Sequence, residues 1–146
     1  MKVKEFIGKE GNAQIVAAIK QAELNTSGEI RVHIESKCKS ENPVDRAVRV
    51  FNFLKMYNTK ERNGVLVYVA VESKKFAIIG DTGINNAVPA DFWDKIKEQM
   101  RESFIAGEYV KGLTEAIKQA GVSLKEYFPY SADDVNEQSD EISFGE

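Results

Sequence analysis

The sequence predicts a small α/β layer protein: a mixed sheet of three to four strands, two parallel plus an antiparallel hairpin, sandwiched between about four helices. Three observations predict it. Glu29 to Glu35, Gly64 to Val71 and Lys75 to Gly80 are rich in the β-branched and aromatic residues that suit a pleated surface. Only Glu72-Ser73-Lys74 separates the second run from the third, which fits an antiparallel hairpin. A helical stretch separates the first from the second, and a strand–helix–strand unit has parallel strands joined by a right-handed crossover.

Each element has its own justification. Asn12 to Leu24 sets Ile15, Val16, Ile19 and Ala22 at helical spacing, and Asn25-Thr26-Ser27-Gly28 stops the helix. In the first strand Ile30, Val32 and Ile34 face one way and Glu29, Arg31, His33 and Glu35 the other, the pattern of a half-exposed or edge strand. Pro43 suits the first turn of a crossover helix over Val44 to Tyr57, with Val44, Val48, Phe51, Leu54 and Met56 as its apolar stripe. The second strand is apolar on both faces, so it belongs at the centre, with helices above and below. Pro89-Ala90-Asp91 opens a third helix with Phe92, Ile96, Met100 and Phe104 inward, ending at Gly107. A fourth runs from Tyr109 to about Phe128, with Gly121 as a point of break or kink and Phe128-Pro129 closing it.

The chain of 146 residues is one domain's worth, enough to bury about 70% of its unfolded surface. Residues 1–130 read as that domain. Ser131 to Glu146 is acidic, lacks Lys and Arg, and reads as a solvated, flexible tail whose anchors are Ile142 and Phe144. The single Cys38 forms no internal disulfide, and no Cys/His cluster suggests structural zinc, so the reducing cytosol is the natural compartment. The sequence has neither an apolar segment of signal-peptide type nor a run of about eighteen apolar residues. The expectation is a cytoplasmic monomer without a membrane span. A net charge of -3 and a pI near 5.4 give no footprint for nucleic acid and mildly favour cations.

Following the strand directions brings the start of the first strand, the start of the second and the end of the third to one rim. Glu29, Asn63 and Asp81 then become neighbours, and Asp91 follows after a short loop. Ca²⁺ and Mg²⁺ prefer oxygen ligands from carboxylates, amides, backbone carbonyls and water, so these four are the candidate metal ligands. The Thr26 hydroxyl and the carbonyls of Gly80 to Gly83 are auxiliary donors, and Asp94 is a weaker one. Each residue also has an ordinary role, because Asp81-Thr82-Gly83 and Asn63-Gly64 are turn sequences and Asp91 suits a helix start. Their convergence carries the metal reading, since a cation relieves repulsion between gathered carboxylates.

Other reactive side chains point to packing. His33 sits mid-strand as a packed or surface residue. Cys38, flanked by Lys37 and Lys39, reads as a free structural thiol. Phe92-Trp93 is placed to line a pocket beside the rim, with Phe92 in the core. The nucleophile elbow, Walker loop, dinucleotide fingerprint and zinc-protease motif are absent, so any hydrolysis has to be metal-assisted.

The same turns resemble the TPM domain family. The resembling stretches are Thr26-Ser27-Gly28-Glu29-Ile30-Arg31-Val32, Arg62-Asn63-Gly64 with the strand to Ala70, Phe76 to Ile84 around Gly80-Asp81-Thr82-Gly83, and Phe104 with Gly107 to Leu113. Phe128-Pro129-Tyr130 and the acidic tail resemble the soluble single-domain bacterial members. The resemblance implies an α/β sandwich with an acidic rim that binds divalent cations, calcium in particular. It also implies acid phosphatase activity in some relatives, and photosystem repair or membrane-anchored accessory roles in others. The family's commoner Gly-Tyr-Gly-Leu-Glu is altered, since Asp81-Thr82 replaces the tyrosine, Asn85 stands for the glutamate, and Ala90 beside Asp91 takes the later acid. The first reading is therefore a Ca²⁺- or Mg²⁺-binding domain. A metal-dependent phosphomonoesterase and a protein-interaction module using the rim or tail are the alternatives.

Overall fold

A computed structural model describes residues 3–130 and 138–145. Its elements are α1 (Val3–Glu23), β1 (Glu29–Glu35), α2 (Pro43–Phe53), β2 (Gly64–Ala70), β3 (Lys75–Gly80), α3 (Thr82–Asn85), α4 (Asp94–Ile105), α5 (Tyr109–Lys125) and β4 (Ser143–Phe144). The strands lie in the order β3-β2-β1-β4, with β3 antiparallel to β2 and the other neighbours parallel. The mixed sheet between helices is thus the one the sequence predicts.

Apolar residues on both faces of β2 put it at the centre. Val65, Val67 and Val69 join Ile30, Val32 and Ile34 in the larger core, against Ile15 and Ile19 of α1 and Leu113 and Ile117 of α5. Leu66, Tyr68 and Ala70 face the other way, onto Ala47, Val50 and Phe51 of α2. Burial of such side chains, worth about 1.5–3 kcal/mol each, is the main term that holds the layers together.

Several boundaries differ from the sequence expectation, each for a physical reason. α1 begins at Val3 rather than Asn12, because Gly8, at φ 78, breaks the periodicity while Val3 and Ile7 remain buried. α2 turns Ala47, Val50 and Phe51 inward, whereas Val44 and Val48 of the expected stripe are each 44% exposed. Asn42 caps that helix by accepting from the Val44 N–H at 2.8 Å, and Pro43 follows at its first turn. Asp81 likewise starts α3, a one-turn helix where the sequence suggests only a turn. α4 starts at Asp94 rather than Asp91.

β1 is not an edge strand. The chain's end returns and β4 pairs with it, His33 opposite Ser143 and Ile34 opposite Phe144. Of the acidic segment read as a tail, residues 138–145 are described, and Ile142 is buried there. Residues 131–137 and 146 lie outside the described residues. Among the described residues no helix is long and apolar enough to cross a membrane.

Gly121 neither breaks nor kinks α5; it lets that helix meet α1. A Cβ there would lie 2.8 Å from the Ala22 Cβ and 3.0 Å from the Ala22 carbonyl oxygen. Gly121→Ala is therefore expected to cost about 1–3 kcal/mol through overpacking. Urea unfolding checks this against Val122→Ala, at a position 66% exposed, which stays near wild type.

Candidate functional site

Three turns meet where β1 and β2 begin and β3 ends. The register pairs Glu29 with Gly64 and Val65 with Gly80. The Glu29 N–H donates to the Asn63 carbonyl at 3.3 Å, and the Asp81 N–H donates to the Gly64 carbonyl at 2.9 Å. Gly83 then docks on the Arg62 turn, its N–H 2.8 Å from the Arg62 carbonyl oxygen. The approach leaves no room for a side chain, since a Cβ on Gly83 would lie 2.1 Å from the Glu61 carbonyl oxygen. Arg62 itself adopts the left-handed conformation at φ 51. On the other flank, Thr26 donates its hydroxyl to the Phe128 carbonyl, and the Ser27 N–H donates to the same oxygen at 2.9 Å.

Of the four expected ligands, Glu29, Asn63 and Asp81 are brought to this rim and are buried. Asp91 is exposed in the turn before α4 and makes no side-chain hydrogen bond or ion pair among the described residues. The Asp81 carboxylate is engaged: Arg62 donates to it through Nε at 2.7 Å and NH2 at 3.0 Å, and the Thr82 N–H donates at 2.7 Å. The carbonyls of Gly80 to Thr82 are engaged as well. Asp81 O accepts from Ile84 and Asn85, Thr82 O from Asn86, and Gly80 O from the Asn85 side chain.

Asn63 is different. Its Nδ2 donates to Glu61 Oε2 at 3.1 Å and to Ser27 Oγ at 3.3 Å. Ser27 gives its own proton to Glu61 Oε2 at 2.8 Å. A carboxylate only accepts at neutral pH, so the amide nitrogen has to face Glu61, and this fixes the Asn63 side chain's orientation. Its Oδ1 then points away, buried and without a hydrogen-bond partner among the described residues, and the residue as a whole is 1% exposed.

Two acids that sequence reasoning missed stand at the β1 end of the rim. Glu23 closes α1 and accepts from the Ile30 N–H at 2.9 Å, while its carboxyl group also hydrogen-bonds Asp140 and Glu29. Burial, then the Asp140 hydrogen bond and the nearby Glu29 charge, push the Glu23 carboxyl up to about 10, so it holds a proton at neutral pH. A signal was present in one case only. An acid in the last turn of a helix opposes the helix dipole, which marks Glu23, whereas Asp140 arrives only because β4 pairs with β1. Among the described residues no three His, Cys, Asp or Glu side chains are arranged to hold a metal ion.

The polar face of β1 forms a second, buried network. Arg46 grips Glu35 through Nε and NH2 at 2.9 and 2.8 Å, Tyr68 donates its hydroxyl to the same carboxylate, and His33 Nε2 lies 3.1 Å from it. His33 Nδ1 reaches Ser143 Oγ at 2.9 Å. Burial alone would raise the Glu35 carboxyl, but hydrogen bonds from Arg46, His33 and Tyr68 outweigh it and hold Glu35 well below the carboxylate range. With its carboxylate divided among three donors, the network fastens β4 to β1. Cys38 is a half-buried free thiol whose Sγ lies 3.1 Å from the Ser40 carbonyl oxygen. Phe92 packs edge-to-face on Trp93 and Tyr127.

A mixed α/β sandwich whose sheet-edge turns interlock at an acidic rim defines a class of small domains. The profile of the TPM domain matches residues 2–122, and the chain belongs to that family. It is similar to the BA42 protein of the psychrophilic bacterium Bizionia argentinensis, solved by NMR, at 49% identity and a TM-score of 0.91 over 99% of each chain. It is also similar to the N-terminal domain of the cg2496 protein of Corynebacterium glutamicum, at 13% identity and a TM-score of 0.62, covering 87% of this chain and 77% of that one. The second likeness shows the fold alone. Comparison with curated proteins finds no match.

The protonated Glu23 gives a pH-dependent prediction with a definite sign. Its folded value, about 10, lies above the ordinary 4.5, so its contribution to stability is complete below pH 4.5 and is lost as pH rises towards 10. Glu23→Gln removes the titration while keeping an acceptor for Ile30. Thermal melts should show the variant equal to wild type near pH 4 and more stable at pH 8, with the gap in melting temperature widening as the pH rises between them.

Proposed function

We propose that this TPM domain binds one divalent cation, Ca²⁺ or Mg²⁺, at the rim, with Asn63 Oδ1 as its fixed inner donor. Glu29 supplies an anionic oxygen from the neighbouring strand, with Glu23 beside it. Asp81 joins when the ion replaces Arg62, and Asp91 contributes only through water. The observation that carries the reading is the Asn63 oxygen: a hard donor, 1% exposed as a residue, held in place by Glu61 and Ser27, and without a partner of its own among the described residues. A buried acceptor with nothing to accept is costly, by about 1–3 kcal/mol, and an ion or ordered water removes that cost.

The donor set fits a weak site. Few fixed anionic oxygens are available and Arg62 competes for Asp81, so the expected dissociation constant is on the order of 10⁻⁴–10⁻³ M. Bound there, the ion would supply positive charge to the rim and a Lewis-acidic centre. Phosphomonoester hydrolysis needs a base as well; the carboxylates of Asp81, Glu23 and Glu61 are engaged with Arg62, with a shared proton and with Ser27, and Asp91 stands exposed in the turn before α4. The reading therefore stops at binding.

Titration with CaCl₂ and MgCl₂, followed through backbone amide shifts, tests the reading. Saturable shifts are expected at Ser27 to Glu29 and Arg62 to Gly64. Asn63→Ala should weaken the response about tenfold, the loss of one good interaction. Arg62→Ala should tighten it several-fold by freeing Asp81. Shifts confined to residues 138–145, or unchanged affinity in folded Asn63→Ala, would reject the site.

A further inference from the structure

A cavity of about 510 Å³ lies at the other end of the sheet, between the β2–β3 hairpin and the α4–α5 turn. Its lining has two chemical characters. Phe76, Phe104 and Tyr109 form an aromatic wall, with Phe104 edge-to-face on Phe76 at 5.3 Å and stacked on Tyr109 at 4.9 Å. Lys74, Lys75 and Arg101 supply three cations, and among the described residues no Asp or Glu lines the cavity. Arg101 lies over the Phe76 ring at 5.8 Å, so its guanidinium is held against the wall. Its ion pair with Glu98 is long, 3.8 Å, and exposed on both sides, so it competes weakly.

The hairpin loop that carries the lysines is pinned in place. Val71 and Glu72 donate their N–H groups to the Glu35 and Ser36 carbonyls at 2.9 and 2.8 Å, and Ser73 Oγ accepts from the Cys38 N–H at 2.9 Å. Lys74, at φ 56, takes a backbone conformation that a lysine rarely adopts. Lys75 Nζ donates to the Glu41 carbonyl at 2.8 Å, which leaves Lys74 and Arg101 as the two exposed cationic heads. The cavity also adjoins Ala70, the carboxyl end of β2, and open α/β sheets bind their ligands beyond the carboxyl ends of parallel strands.

We propose that this cavity is a binding site for a small aromatic phosphate of mononucleotide size, its ring against Phe76, Phe104 and Tyr109 and its phosphate between Lys74 and Arg101. A dianionic head matches several cations without a facing acid. A flat ring matches the aromatic wall, and the volume lies within the range of small-molecule sites. The chain's net charge of -3 offers no general attraction for anions, so affinity here has to come from the local arrangement. The site lies at the opposite strand ends from the rim, and it holds or fails independently of cation binding.

AMP, adenosine and inorganic phosphate, each titrated into the full chain and followed by amide shifts and calorimetry, test the proposal. AMP should bind saturably, with shifts centred on Lys74 to Phe76 and Arg101 to Tyr109, at least tenfold tighter than either adenosine or phosphate. Arg101→Gln should weaken AMP about tenfold, the loss of a hydrogen bond to a charged group, and Lys74→Gln should do the same less strongly. Both side chains are exposed, so these variants keep the fold. Arg49→Gln, on α2 across the sheet, should leave AMP affinity unchanged. Equal response to the three compounds, absence of saturable AMP binding, or an Arg49→Gln loss matching that of Arg101→Gln would each overturn it.

Discussion

The parallel pairing of β1 with β2, in the register that sets Glu29 beside Gly64, is the constraint from which the rest follows. It puts the turn before β1 next to the turn before β2, and the antiparallel return of β3 brings Asp81 to the same edge. A slip of one residue would turn Ile30, Val32 and Ile34 away from the core, so the apolar pattern enforces the register. The geometry of the rim is thus fixed by hydrophobic burial at a distance from it. The same register sends the carboxyl ends of both strands to the far side, where the aromatic and cationic cavity lies.

Acidic groups in this domain are handled in three ways. Asp81 takes a surface arginine, Glu35 takes a half-buried arginine with a tyrosine and a histidine, and Glu23 keeps its proton. Each removes a negative charge that the low-dielectric interior would penalise. The rim is therefore closer to neutral than its composition suggests. Among the described residues the buried Asn63 oxygen has no hydrogen-bond partner there, and this deficit, rather than an excess of carboxylates, gives the cation proposal its footing. The polar face of β1 serves a different end: Ser143, His33 and Glu35 form a chain of contacts that ties the last strand to the sheet.

Most of the fold was legible because the apolar patterns are strong. The doubly apolar β2, the alternating β1 and the short hairpin link specify the sheet, and the rim follows from strand direction. Where reading failed, long-range contacts decided the outcome. The polar face of β1 suggested an edge, but it is covered by a strand about a hundred residues later in the chain. Gly121 resembled a breaker because its contact with Ala22 on another helix is invisible locally. The meeting of Glu29, Asn63 and Asp81 at one rim was legible from their turns, but the Arg62 that occupies Asp81 was not recognised. Asp140 had no local signal at all.

The most direct test of the central claim, that interlocking of three turns leaves the Asn63 oxygen to a hard ligand, is a high-resolution crystal structure of the protein grown in calcium. The account predicts density for an ion within about 2.3–2.6 Å of Asn63 Oδ1, with the amide nitrogen still facing Glu61. A reversed Asn63 amide, or calcium held only by carboxylates away from the rim, would contradict it.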